Sequence, residues 1–110
     1  MTTLEKDLEK KLREAVERRG GRCLKWVCPG WSGVPDRILL LPGGRVIFVE
    51  TKRPKGGRAT PLQKKWRDWL QELGFTHYFI FNTDQLAAVL QTIDERKNNE
   101  PEKSKEEKAP

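Results

Sequence analysis

The sequence has one histidine, His77, and two cysteines, Cys23 and Cys28, in 110 residues. A single histidine excludes hydrolytic centres that need several, and it makes a Ser-His-Asp triad a poor fit. His77 sits within Phe75-Thr76-His77-Tyr78-Phe79-Ile80-Phe81, which reads as a strand, so a partly buried structural histidine is expected. Two cysteines are too few for a disulfide framework, and no Cys-x-x-Cys pair is available for zinc. Their odd spacing on one strand would face them to opposite sides, and reduced structural thiols are expected. No apolar run approaches the ~20 residues of a membrane span. Met1 to Lys6 lacks the apolar core of a signal segment, so the chain is expected to stay in the cytoplasm of its producer, away from membranes.

Charge, by contrast, is plentiful. Charged residues make up 35% of the chain and hydrophobic ones another 35%, and the net charge is +6. The stretch from Lys97 to Pro110 holds four lysines and four glutamates, so the whole excess, 18 basic against 12 acidic, lies in residues 1–96. The length fits one domain over 1–96, with 97–110 expected as a disordered charged tail. A basic folded domain suits a polyanionic partner such as DNA, although many soluble domains share that balance.

The chain is organised around Val34 to Lys52. Two apolar runs, Ile38 to Leu41 and Val46 to Val49, are joined by Pro42-Gly43-Gly44-Arg45, the pattern of a β-hairpin with buried strands. Asp36 opens the first strand, and Glu50 and Lys52 close the second. Antiparallel pairing brings residues 14 apart in sequence to one edge of the sheet. Glu50 and Lys52 are two apart and leave their strand on the same face. The hairpin therefore gathers two carboxylates and an amine.

Two such carboxylates repel unless a cation lies between them, and hard oxygen ligands suit Mg²⁺ or Mn²⁺. The Thr51 carbonyl is a further candidate oxygen. A cation there activates water and neutralises charge on a phosphorane-like transition state, while Lys52 can orient or deprotonate the water or stabilise the phosphate. The plainer alternative makes Asp36 a turn residue and Glu50 and Lys52 a surface ion pair.

Around the hairpin, Leu4, Leu8, Leu12, Ala15 and Val16 recur at helical spacing, with Thr2 or Thr3 as N-cap and Gly20-Gly21 as the stop. Arg22 to Val27 reads as a strand. Trp31, in the loop 29–33, either stacks on a base or packs the loop down. Lys25 and Arg37 are candidate phosphate contacts by position. So are Arg53, Lys55 and Arg58 in the basic segment beyond Lys52. Thr60-Pro61 opens a helix whose apolar face is Leu62, Trp66, Trp69, Leu70 and Leu73, which makes its tryptophans core or interface residues. A strand over 76–81 and a last helix capped by Asn82-Thr83-Asp84 complete the order α-β-β-β-α-β-α.

Gly33-Val34-Pro35-Asp36-Arg37, then Gly43 through Lys52, then Leu62-Gln63, resemble the VRR-NUC branch of the PD-(D/E)xK nucleases. The resemblance implies an α/β restriction-endonuclease-like core: a mixed sheet of about four strands flanked by helices. It makes Asp36, Glu50 and Lys52 the catalytic residues, and Gln63 matches a glutamine on the following helix. It also implies one further carboxylate from the first helix, for which Glu5 fits best and Glu9 is the fallback.

The expected activity is that of a Mg²⁺- or Mn²⁺-dependent DNA endonuclease, in which water attacks phosphorus and the 3′ oxygen leaves. Proteins of this kind imply a homodimer acting on branched DNA such as four-way (Holliday) junctions. The alternatives are a non-catalytic DNA-binding module and an accessory subunit of a larger repair or packaging complex.

Overall fold

The computed structural model describes residues 5–53 and 56–98. Its elements are α1 (Glu5–Arg18), β1 (Arg22–Lys25), β2 (Arg37–Leu41), β3 (Arg45–Thr51), α2 (Pro61–Glu72), β4 (Thr76–Ile80) and α3 (Thr83–Asn98). This is the expected order. The N-caps at Thr2 or Thr3, the first apolar position Leu4, Lys55 and the tail beyond Asn98 lie outside the described residues.

The four strands form one mixed sheet in the order β1-β2-β3-β4, with the first three antiparallel and β4 parallel to β3. The hairpin closes at the Leu41↔Arg45 pair, so Pro42, Gly43 and Gly44 make the turn. Gly43 (φ 83°) and Gly44 (φ 75°) both occupy the left-handed region that glycine enters without a Cβ clash. The parallel return to β4 requires a crossover, and α2 supplies it.

Side-chain alternation splits the sheet into two faces. Leu39, Leu41, Ile47, Val49 and Ile80 pack with Leu8, Leu12 and Val16 of α1 and with Leu86, Val89 and Ile93 of α3 to form the main core. A bidentate pair from Arg19 to Asp94, at 2.8 and 3.0 Å, ties the two helices together. On the opposite face Phe48 meets Trp26 and Phe75, and Trp26 meets Trp66 of α2. Two helices therefore cover one face and a single helix covers the other.

One boundary shifts. β1 ends at Lys25 rather than Val27, although the Trp26 N–H still bonds the carbonyl of Asp36, the residue before β2. Of the two α2 tryptophans expected as core or interface, Trp66 is half-buried and Trp69 is 41% exposed. His77 is buried as expected; burial and the neighbouring Arg67 push its pKa down to about 4, so it is neutral at physiological pH. Cys23 and Cys28 are free thiols, and burial pushes Cys23 up to about 11, leaving it protonated and inert.

Candidate active site

The hairpin register pairs Arg37 with Val49, so the next step outward sets Asp36 across from Glu50 at the open end of the strands. β3 ends at Thr51. The Lys52 N–H still bonds the Ile80 carbonyl at 2.9 Å, so the backbone through Lys52 is held by β4. The Thr51–Lys52 peptide is trans, like every peptide bond among the described residues, so the Thr51 carbonyl points away from β4, toward the Asp36 side.

Glu50 and Lys52 leave the strand on one face, as the period of two requires, with Lys52 Nζ 3.7 Å from Glu50 Oε2. Both are largely shielded, their side chains only 9% and 16% exposed. Burial, and then the negative charge of Asp36, push the Glu50 carboxyl up to about 7, while Lys52 pulls it down and Glu5 adds to the rise.

Asp36 behaves differently. It lies just before β2, and its carboxylate turns toward α1. Asp36 Oδ1 accepts the Thr51 backbone N–H at 3.3 Å, and Oδ2 lies 3.1 Å from Thr51 Oγ1. The same hydroxyl is 3.0 Å from Glu9 Oε1, and the other Glu9 oxygen is held by Arg37 Nη2 at 2.7 Å. A hydroxyl has one proton, so it donates to only one of these carboxylates at a time. Burial raises the Asp36 carboxyl above its ordinary range, and the Glu9 charge adds to the rise.

Glu5, Glu9 and Asp36 each offer a carboxylate oxygen, and the three oxygens lie within 4.8 Å of one another. The first helix thus brings two carboxylates to the edge rather than one. They are one turn apart, beside the Leu8 and Leu12 stripe that packs α1 on the sheet. The carboxylates gathered at or beside this edge (Glu5, Glu9, Asp36, Glu50) outnumber the two cationic side chains paired with them, Arg37 with Glu9 and Lys52 with Glu50. An all-oxygen donor set with that deficit fits a hard divalent cation.

The remaining candidates fall elsewhere. Arg37, expected as a phosphate contact, has one guanidinium nitrogen, Nη2, bonded to Glu9. Gln63 uses its carbonyl to accept the Thr60 N–H at 2.9 Å, while Thr60 Oγ1 accepts the Gln63 N–H at 3.1 Å. This capping box leaves only the Gln63 amide N–H groups to face outward. Trp31 is 62% exposed and edge-on to Trp66 at 6.0 Å. Its loop is pinned at Gly33, where a Cβ would come within 2.6 Å of Leu62 Cγ. Lys25, Arg53 and Arg58 are exposed. The Arg37–Glu9 pair and the Thr51 hydroxyl were not read from the sequence. Both depend on how α1 docks against β2 and β3, and no local pattern encodes that.

No family model matches the sequence. The chain is 38% identical over 90 residues to "Putative nuclease p44" of Acyrthosiphon pisum secondary endosymbiont phage 1, an alignment covering 82% of this chain and 95% of that protein. A solved structure of a "VRR_NUC domain" has the same fold, with a TM-score of 0.73 at 24% identity over 81% of this chain and 97% of the other. The chain belongs to the VRR-NUC nuclease family. The VRR-NUC fold accounts for the mixed sheet and for the hairpin that carries Asp36, Glu50 and Lys52 to one edge. Among the described residues, no helix of this VRR-NUC chain is long and apolar enough to cross a membrane.

Proposed function

We propose that this protein is a Mg²⁺- or Mn²⁺-dependent DNA endonuclease that works as a homodimer on branched DNA such as four-way junctions. The observation that carries the hydrolytic reading is the gathering of Glu5, Glu9 and Asp36 oxygens within 4.8 Å, beside a Glu50 whose carboxyl is pushed up to about 7. So dense an acidic group is unfavourable without a cation and becomes favourable with one. The preference for branched DNA and the dimeric state rest on the family resemblance.

Asp36, Glu50 and the Thr51 carbonyl would hold the cation, with Glu9 or Glu5 contributing from α1. When bound, the cation neutralises charge on the phosphate and acidifies a water. Lys52 orients that water or a phosphate oxygen. Arg37 and the Thr51 hydroxyl fix the Glu9 and Asp36 carboxylates. Gln63 lends an amide N–H at the edge of the site. Trp31 stacks on a base or sugar, and Lys25, Arg53, Lys55 and Arg58 hold the DNA backbone.

Incubation with labelled linear, flapped and four-way-junction DNA in Mg²⁺, Mn²⁺ or EDTA tests the reading. Metal-dependent cutting of the junction is expected. Binding that survives chelation, with no cleavage under any metal, would make the protein a DNA-binding module. Cleavage only after a partner is added would make it an accessory subunit.

The Thr51 hydroxyl gives a narrower expectation. Thr51→Val keeps the shape of a fully buried side chain but removes the donor between two carboxylates. Affinity for Mn²⁺ should fall by roughly tenfold, as for other groups that orient metal ligands, and Thr51→Ser should restore it. Titration followed by the electron-spin signal of free Mn²⁺ reads this directly, and unchanged affinity in Thr51→Val would remove the hydroxyl from the site.

A further inference from the structure

We propose that Arg13, Lys25 and Arg37 form a phosphate subsite on the α1 face of the sheet, which holds the backbone phosphodiester next to the one being cut. This rests on the nuclease reading above and adds to it the path of the cut strand and a residue, Arg13, from outside the carboxylate cluster.

The first observation is a pair of like charges. Lys25 and Arg37 are Cα partners across β1 and β2, so their side chains leave the sheet side by side on one face. It is the face on which Leu39 packs with α1. Like charges directly opposite each other on a sheet are destabilising, and an anion between them reverses that sign. Glu9 offsets only one of the two, through Nη2 of Arg37. Lys25 is exposed at the end of an edge strand and has no ion-pair partner among the described residues.

The second observation is a third cation at the same place. Glu5, Glu9 and Arg13 follow one another at four-residue steps along one flank of α1, which packs against β1. Cys23 lies two residues before Lys25, on the same face. Burial raises its thiol, whereas Arg37 and Arg13 both lower it, so the two guanidinium groups stand round one spot on β1. Arg13 is exposed and, among the described residues, is in no ion pair.

Position identifies the ligand. Arg37 Nη2 is 2.7 Å from Glu9, and Glu9 belongs to the carboxylate cluster. The subsite therefore begins one side chain away from the candidate cation ligands. Glu50 and Lys52 share the face of Phe48, whereas the three cations lie on the other face. A phosphate held at the carboxylate edge then meets Lys52 on one side, and the next phosphate of the same strand meets Arg13, Lys25 and Arg37 on the other. Two arginine forks and an ammonium supply N–H donors for several oxygens of one phosphate.

Steady-state cleavage of junction DNA by the full chain in Mg²⁺ tests the subsite, with circular dichroism confirming that each variant folds. Arg37 is left intact because it also holds Glu9. Arg13→Ala and Lys25→Ala should each raise KM roughly tenfold with kcat unchanged, and Arg13→Lys, which keeps the charge, should stay near wild type. Replacing backbone phosphates one at a time by neutral methylphosphonates locates the contact. At one position beside the cut, the neutral linkage should raise the wild-type KM and leave that of the Arg13→Ala/Lys25→Ala double variant unchanged. A wild-type KM in both alanine variants, a loss confined to kcat, or a double variant as sensitive as wild type to every methylphosphonate would overturn the subsite while the nuclease stands. A wild type that cuts no DNA in any metal would overturn the nuclease reading and the subsite with it.

Discussion

Glu50→Gln should abolish metal-dependent cleavage and, in metal-free buffer, make the protein more stable. The two effects have one cause. Glu50 is nearly buried, beside Asp36, and its carboxyl is pushed from 4.5 up to about 7. The folded state thus holds this proton more tightly than the unfolded chain does. Glu50 therefore weighs nothing against the fold below about pH 4.5, and its stability is lost as pH rises through about 7. At pH 8 that loss is on the order of 3 kcal/mol. Glutamine has no proton to give up and escapes it, although it forgoes the Lys52 ion pair. In EDTA, Glu50→Gln should melt several degrees above wild type at pH 8 and close to it at pH 5. Mn²⁺ should raise the melting temperature of wild type more at pH 8 than at pH 5, since the cation and the proton compete for the same oxygen. Cleavage should fall by roughly 10³-fold, because an amide oxygen is a poor substitute for a charged ligand. Asp36→Asn should follow the same pattern, its carboxyl also being raised by burial. Earlier melting of these variants in metal-free buffer would mean that the carboxylates serve packing.

Much of this site was legible because a hairpin is a local object. Two four-residue apolar runs around Pro42-Gly43-Gly44 set the register, and the register sets Asp36 against Glu50. The period of a strand puts Glu50 and Lys52 on one face wherever the hairpin docks. What the sequence left open depends on docking. Glu5 and Glu9 sit one turn apart and are equivalent until α1 is laid on the sheet, and then both arrive at the edge. Arg37 follows Asp36 in a basic chain and reads as a phosphate contact; its pairing with Glu9, at 2.7 Å, appears only once α1 is docked. Gln63 could have faced the site or its own helix cap, and Thr60 three residues earlier turned its carbonyl to the cap. The apolar face of α2 was read as core or interface, and much of it looks outward: a helical stripe fixes which residues share a side and not what covers them.

Lys52→Ala should leave the fold and DNA binding in place while the rate falls by roughly 10²-fold. The backbone at Lys52 is held by β4 through its own N–H, a contact that no side-chain change removes. The ammonium is a compact charge 3.7 Å from Glu50. An arginine there would present a wider, planar fork, so Lys52→Arg should restore little. Metal dependence separates the possible roles. Removing a ligand raises the metal concentration needed for half-maximal rate. Removing a neighbouring cation does not, because it takes positive charge away from the ion's surroundings. The Lys52→Ala rate should therefore stay low at saturating Mn²⁺, with the half-maximal concentration no higher than in wild type. Without Lys52 the Glu50 carboxyl holds its proton to higher pH, so the acidic limb of the pH–rate profile should move toward alkali. A rate near wild type would take Lys52 out of the mechanism, and a rate recovered by added metal would reduce it to a support for Glu50.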